Sequence, residues 1–179
     1  MSSVETHDFA EHLKQANSSD AYQLFDRGYK RFFGTRIVRI ERHPNDMRRQ
    51  RQGIDVTVHV AGDHDYRIEE KYRPDRIYPD ILLEYVSVDT TGAPGWMEKD
   101  LHIDYLAYGF AKLQTIYMLP WPALKLAWEI NKEKWQTLYK PVAARNNGYT
   151  TWSVAVPIWD VRKAIGDAAC IVLEPLTSE

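Results

Sequence analysis

The sequence predicts an α/β (α+β) fold in which helices pack on the faces of a β-sheet. The chain has 179 residues, of which 44% are hydrophobic and 12% aromatic, so it can bury the core of a single domain spanning residues 1–179. Short stretches with alternating apolar residues, typical of strands, occur between stretches whose apolar residues follow helical spacing. This interleaving is expected when helices cover a sheet.

The N-terminal part, residues 4–33, is predicted to be helical. Phe9 and Leu13 lie at helical spacing in a first helix over residues 4–16. Asp20 is a good N-cap for a second helix, and Gly34 follows its last turn in the position that glycine favours. We therefore expect two consecutive helices before the first strand.

The core, residues 35–135, and a C-terminal strand–helix–strand unit, residues 151–173, follow. Alternation predicts strands over residues 35–41, 54–60, 66–71, 80–88, 104–110, 113–119, 151–156 and 169–173. Pro120 and Pro157 begin two further helices, which end near Trp135 and Gly166. Segments 43–52, 90–95 and 138–149 are predicted to be loops.

The composition excludes several classes of protein. No apolar run reaches the roughly 18 residues that a membrane span needs, and the N-terminus is polar and acidic, unlike a secretory signal. The only cysteine, Cys170, lies in an apolar run and is expected to be a buried thiol. Because one cysteine cannot form an intrachain disulfide, the sequence predicts a cytoplasmic protein.

Positive charge is concentrated in one stretch. The whole chain carries a net charge of −2, whereas residues 27–52 contain nine Arg or Lys residues and two acidic ones, a local charge of +7. Arginine suits bidentate contact with phosphate, so Arg48, Arg49 and Arg51 are predicted to contact a nucleic-acid backbone. The alternative is a solvated face or loop, which charge runs commonly form.

A hairpin after this basic stretch carries the residues with the clearest chemistry. Residues 54–60 alternate as a strand, and the returning strand contains Glu69, Glu70 and Lys71. Alternation places Asp55, Glu69 and Lys71 on one face and Glu70 on the other. Two neighbouring carboxylates repel each other unless a cation lies between them, and hard oxygen ligands suit Mg²⁺ or Mn²⁺.

The pattern Asp55 … Glu69-x-Lys71 resembles the signature of the PD-(D/E)xK nuclease superfamily. Ile54 stands where many members have proline. The resemblance implies that Asp55, Glu69 and the main-chain carbonyl of Glu70 bind Mg²⁺, for which Mn²⁺ can substitute. Lys71 would position or activate the attacking water. It implies a restriction-endonuclease-like core and a metal-dependent nuclease acting on nucleic acid, DNA rather than RNA.

In fold terms, the resemblance implies a central mixed sheet with the strands of residues 35–71 at its centre. An acidic strand commonly follows Glu-x-Lys in the superfamily, which makes Glu84 a further candidate metal ligand. Glu11 is a candidate for the upstream helical glutamate that often completes such sites. Many members act as dimers, so a homodimer is compatible with the resemblance, although no apolar stripe marks an interface.

Two further side chains have weaker signals. The order Gly95-Trp96, Lys99, Asp104-Tyr105 is similar to a pattern of phage-type and restriction-type members, in which Lys99 would contact nucleic acid; the alternative is an ordinary surface lysine. His59 shares the strand face of Asp55, and it either borders the site or is a surface histidine.

Two other functions remain open at the level of sequence. The first is a catalytically inactive module that binds nucleic acid or protein with the same fold. The second is an unrelated α+β protein whose hairpin charges form a surface ion pair worth at most about 1 kcal/mol. Metal-dependent cleavage separates the nuclease from both. The sequence contains no glycine-rich phosphate loop and no zinc-ligand pairing of His with Cys.

Overall fold

The computed structural model describes residues 18–166 and 171–174. The predicted helix over residues 4–16, together with Glu11 and Cys170, lies outside the described residues. The described helices are α1 (Ser19–Phe33), α2 (Met47–Arg51), α3 (Trp121–Leu138) and α4 (Ile158–Ile165). The described strands are β1 (Ile37–Arg42), β2 (Val56–Val60), β3 (Tyr66–Arg73), β4 (Asp80–Val88), β5 (Ala93–Pro94), β6 (Tyr105–Phe110), β7 (Thr115–Pro120), β8 (Pro141–Asn146), β9 (Tyr149–Pro157) and β10 (Ile171–Leu173).

A mixed six-stranded sheet with the order β1-β2-β3-β6-β7-β10 forms the middle of the molecule. Its strands are antiparallel except β3 and β6, which run parallel from Ile68 opposite Tyr105 to Arg73 opposite Phe110. The prediction of a mixed sheet flanked by helices is confirmed. The strands from β1 to β3, however, occupy one half of the sheet rather than its centre, because β6, β7 and β10 extend it beyond β3.

A second sheet, antiparallel throughout, has the order β5-β4-β9-β8. The prediction of a loop over residues 138–149 is therefore wrong. Asn146 pairs with Tyr149, so Asn147 and Gly148 form a two-residue hairpin turn in which Gly148 has a φ of +83°. An Asn-Gly pair is the sequence that such turns favour. Strand β5 likewise replaces part of the loop predicted over residues 90–95.

Two helix starts differ from the sequence prediction. Ser18, rather than Asp20, caps α1, since its hydroxyl accepts a hydrogen bond of 3.2 Å from the main-chain N–H of Ala21. Helix α2 lies within the segment predicted to be a loop, and Asp46 caps it by accepting hydrogen bonds from the N–H groups of Arg48 and Arg49. Its five residues are too few to show an apolar periodicity.

The six-stranded sheet is covered on both faces. Helix α1 buries Phe25 and Tyr29 against one face, together with Val56 and Ile68 of the sheet. The other face packs against the second sheet, α3 and α4, in a cluster that includes the fully buried Trp128. Each large apolar side chain removed from water in this way contributes about 1.5–3 kcal/mol. Within the described ranges, every helix is too short or too polar to cross a bilayer.

Candidate functional site

The β2–β3 hairpin brings Asp55 close to Glu69. Val56 pairs with Ile68 and Thr57 with Arg67, Asp55 directly precedes this pairing, and its negative charge acts on Glu69. Asp55 is held there by two hydrogen bonds: its N–H donates to the carbonyl of Ile68 at 3.0 Å, and its Oδ2 accepts from the N–H of Glu70 at 2.8 Å.

Glu69 is buried, and Asp55 beside it is half-buried. Glu69 is only 8% exposed. Its burial raises its pKa to about 7, and the negative charge of Asp55 adds to this increase, whereas Lys71 opposes it. Burial also raises the pKa of Asp55, against the opposing effects of Lys71 and of the N–H of Glu70. Burial therefore disfavours the charged form of both carboxylates, and a further cation beside them would favour it.

Lys71 lies on the same face and forms an ion pair with Glu69. Burial disfavours the ammonium, but Glu69 and Asp55 outweigh it, so the pKa of Lys71 is raised. The Nζ atom also lies 5.8 Å from the centre of the Trp96 ring. Lys71 is consequently a fixed positive charge at neutral pH, which suits it to orient a water or a phosphate oxygen rather than to accept a proton.

Glycine at position 53 leaves space for the Glu69 carboxylate. Gly53 has a φ of +77°, and a Cβ added there would lie 3.2 Å from Oε2 of Glu69 and 3.0 Å from Cδ1 of Leu101. A side chain at this position would therefore be strained by its backbone conformation and would press on the site.

The donor set fits Mg²⁺ better than a transition metal. Asp55 and Glu69 supply hard carboxylate oxygens, and the main chain of Glu70 adjoins both. Among the described residues, no group of three or more His, Cys, Asp or Glu side chains could hold a metal. Mg²⁺ is commonly bound by one or two carboxylates, with waters and substrate phosphate completing its shell.

Glu84 and Lys99 lie at the edge of this site. Glu84 comes from β4 of the second sheet, and its pKa is raised by burial, while Lys71 and Lys99 lower it. It lies within electrostatic reach of Lys71 but does not join Asp55 and Glu69 in a group of three acidic ligands. Lys99 is exposed and also lowers the pKa of Glu69.

Glu70 points to the opposite face of β3, towards α1. Both of its carboxylate oxygens accept hydrogen bonds of 2.7 Å from Nη1 of Arg42, and the hydroxyl of Tyr29 donates another at 2.7 Å. Arg42 also pairs with Asp26 and lies 4.1 Å from the centre of the Tyr22 ring. The pKa of Glu70 is raised by burial to about 6, against the opposing charge of Arg42.

The three predicted phosphate-binding arginines differ in their surroundings. Arg48 and Arg51 are exposed and form no ion pair within the described part of the chain. Arg49 instead contacts the ring of His43, and its Nη1 donates a hydrogen bond of 3.3 Å to the hydroxyl of Thr57.

Sequence reasoning missed His43 and Thr57. Thr57 shares a strand face with Asp55, so alternation could have identified it. His43 has no such signal, because the chain brings it to Asp55 only through the pairing of β1 with β2, where its N–H donates to the Asp55 carbonyl at 2.8 Å. Burial and the charge of Arg49 lower the pKa of His43.

His59, also predicted to border the site, lies further along the same strand face. Its ring contacts Arg39 at 3.0 Å, Glu41 at 3.2 Å and Asp65 at 2.9 Å. Its surroundings are therefore those of a polar cluster at the sheet edge.

Comparisons of the chain with protein-family models, with curated proteins and with solved structures gave no significant match. Its activity must therefore be inferred from the chemistry of its own residues.

Proposed function

We propose that the protein is a metal-dependent nuclease that hydrolyses phosphodiester bonds, with DNA rather than RNA as its substrate. The observation that carries this proposal is the grouping of Asp55, Glu69 and Lys71 at the β2–β3 hairpin, with the pKa of Glu69 raised to about 7. A buried and a half-buried carboxylate beside one ammonium form a site whose negative charge a divalent cation can balance.

The order of the elements supports the finer proposal of a restriction-endonuclease-like core. Helix α1 precedes an antiparallel run β1-β2-β3, and β6 then returns parallel to β3. Asp55 lies directly before β2, and Glu69 and Lys71 lie within β3, which matches the placement implied by the resemblance to the PD-(D/E)xK superfamily.

In this proposal, Asp55, Glu69 and the carbonyl of Glu70 bind Mg²⁺ or Mn²⁺. The bound metal would supply Lewis-acid stabilisation of the phosphate and lower the pKa of a water. Lys71 holds that water or a phosphate oxygen by its ammonium, and it offsets charge that develops on the phosphoryl oxygens. The Arg42 contacts behind β3 fix Glu70, whose N–H in turn fixes Asp55.

The test is a cleavage assay on duplex, single-stranded and branched DNA and on RNA, with Mg²⁺, Mn²⁺ or chelator. We expect metal-dependent cleavage that falls at least about 100-fold in Lys71→Ala, a loss typical of a charge acting on the transition state. Lys112→Ala is the control, because Lys112 is an exposed lysine whose one ion pair among the described residues is with Asp75 at 3.9 Å.

A second outcome would identify the alternative function. If the folded wild-type protein cut none of these substrates yet bound one of them in chelator, it would be a nucleic-acid-binding module with the same site geometry. If it neither cut nor bound them, the nuclease proposal would be wrong and the hairpin charges would be structural.

A further inference from the structure

A second polar cluster lies beside the proposed metal site. It consists of His43, Arg49 and Thr57 and is called the Arg49 cluster below. Thr57 follows Asp55 by two residues, which separates them by at most roughly 7 Å. This separation is of the same order as that between successive phosphates of a nucleic-acid strand. His43 is tied to Asp55 by the hydrogen bond from its N–H to the Asp55 carbonyl, 2.8 Å long.

The cluster holds the Arg49 guanidinium in place. Nη1 lies 3.2 Å from Nδ1 of His43 and 3.3 Å from Oγ1 of Thr57, and the Thr57 hydroxyl lies 2.8 Å from Nε2 of His43. His43 and Thr57 are 6% and 7% exposed, whereas the side chain of Arg49 is 39% exposed. The Arg49 guanidinium is anchored by two buried side chains but is open to solvent. Such a group loses little conformational entropy when it binds a ligand.

The local charge favours an anion at this cluster. Within residues 18–166 and 171–174, the one carboxylate that pairs with Arg49 is Asp46, at 3.5 Å, and Asp46 is already engaged as the N-cap of α2. The neighbouring ring of His59, by contrast, lies between the carboxylates of Glu41 and Asp65. At Arg49 an incoming phosphate would meet the Nε–Nη2 edge, whose one contact among the described residues is that of Nε with Asp46 at 3.5 Å. At His59 it would meet two negative charges.

We propose that the Arg49 cluster binds the phosphate adjacent to the scissile one and so sets the position of the strand on the metal site. This inference rests on the proposed nuclease function. The Nε–Nη2 edge of Arg49 supplies the donors that suit a phosphate, and Thr57 and His43 hold the guanidinium from its Nη1 side. Arg48 and Arg51, which have no such anchor, add attraction that is independent of position.

The first experiment measures binding without cleavage. Labelled duplex and single-stranded DNA are titrated in chelator at several salt concentrations with wild type, Arg49→Ala and Arg49→Lys. We expect Arg49→Ala to weaken binding about tenfold at low salt. The slope of log K against log salt should become shallower by about 0.9 for duplex or 0.7 for single strands, the loss of one phosphate contact.

Two comparisons make this result specific. Arg49→Lys keeps the charge but not the bidentate geometry, so it should restore the salt slope and only part of the affinity. Arg145→Ala removes an exposed arginine from β8 of the second sheet and should leave both quantities unchanged. Equal losses in Arg49→Ala and Arg145→Ala would overturn the inference.

The second experiment places the contact relative to the cut. Substrates carry one neutral methylphosphonate in place of a phosphate, moved step by step from the cleavage site. Wild type should lose affinity when the adjacent phosphate is neutral, and Arg49→Ala should lose nothing further from the same replacement. Thr57→Val should lose part of this sensitivity, and Thr57→Ser should keep it.

The two proposals fail in different ways. Metal-dependent cleavage with methylphosphonate sensitivity unchanged in Arg49→Ala would sink the inference and leave the nuclease standing. A wild-type protein that cuts nothing would sink the nuclease, and the change in salt slope would then still report whether Arg49 binds phosphate.

Discussion

Among the described residues, Glu69 is a carboxylate whose environment departs strongly from the usual one. It is 8% exposed, lies near Asp55, and is paired with a single lysine. A carboxylate kept this far from water is unstable as an anion unless a cation is added. Burial thus destabilises the charged form of Glu69 when no metal is bound, and a bound divalent cation would stabilise that form.

The stability of the metal-free protein should therefore depend on pH. Because the pKa of Glu69 is raised from 4.5 to about 7 on folding, the folded state retains a proton that the unfolded state loses between those values. Stability contributed by the protonated group is therefore present at low pH and lost as pH rises from about 4.5 to 7, by at most about 1.4 kcal/mol per pH unit.

Denaturant unfolding at pH 5, 6, 7 and 8 checks this prediction. Glu69→Gln should remove the contribution, so its stability relative to wild type should rise with pH, while Glu70 titrates equally in both proteins. Adding Mg²⁺ should stabilise wild type at pH 8 more than at pH 5. Parallel curves for the two proteins, or no effect of Mg²⁺ at pH 8, would contradict a metal-binding Glu69.

Gly53 offers a second residue-scale prediction with a matched control. Gly53→Ala and Gly62→Ala both place a side chain at positive φ, +77° and +71°. An added Cβ contacts Glu69 and Leu101 at Gly53 and nothing within 4 Å at Gly62. We expect Gly62→Ala to cost about 1–2 kcal/mol with cleavage retained. Gly53→Ala should lower the free energy of unfolding by more than this and lose cleavage. Denaturation and the substrate assay measure the two effects. Equal effects of the two substitutions would show that Gly53 is not linked to the site.

Sequence alone predicted part of this site. Alternation was sufficient to group Asp55, Glu69 and Lys71, because the two strands are joined by a short hairpin and their register is local. It was not sufficient for His43 and Arg49, whose positions depend on β1 pairing with β2 and on the path of α2. Charge composition identified Arg49 as cationic but could not show that His43 and Thr57 anchor it.

At the scale of an element, the two faces of strand β3 have different roles. One face presents Glu69 and Lys71 to the site, and the other presents Glu70 to α1. On the second face, Arg42 links β3 to α1, since it pairs with both Glu70 and Asp26. Because the Glu70 N–H binds Asp55, the buried ion pair behind the strand supports the geometry in front of it.

Removing Arg42 should therefore be severe. Its side chain is 16% exposed and that of Glu70 is 9% exposed, so Arg42→Met would leave an uncompensated buried carboxylate. We expect a loss of about 3–5 kcal/mol in the free energy of unfolding, measured by denaturant titration. Arg39→Met is the control, because Arg39 is 62% exposed, and it should change stability by at most about 1 kcal/mol. Similar values for both variants would show that the buried pair is not structural.

Prediction of elements succeeded where apolar residues mark a strand or helix, even where both faces are buried, as in β6. The apolar pattern located β2, β3 and β6, and helical spacing located α1 and α3. Prediction failed for β8, an edge strand with no fully buried side chain, in which Val142, Ala143 and Ala144 do not alternate with polar residues. The Asn147–Gly148 pair was the available signal, because that dipeptide favours a two-residue hairpin.

At the scale of the whole molecule, the division into two sheets could not be predicted. The pairing of Leu83 with Val154 joins residues that are far apart in sequence, and local patterns do not specify distant partners. The second sheet nevertheless shares a core with the first, since Leu83 belongs to the same buried cluster as Leu106 and Phe110 of β6.

This shared core predicts one cooperative unit. Leu83 is fully buried, so Leu83→Ala should lower the free energy of unfolding by about 2–5 kcal/mol and destabilise the candidate site in the other sheet to the same extent. Leu126→Ala, on the exposed side of α3 at 61% exposure, should change it by at most about 0.5 kcal/mol. Far-ultraviolet circular dichroism and tryptophan fluorescence should give coincident transitions in both variants. The contrary result would be separate transitions in Leu83→Ala, with Mg²⁺ stabilising only one of them. The six-stranded sheet would then hold its site without the second sheet. In that case Glu84 and Lys99 would have no part in fixing the site.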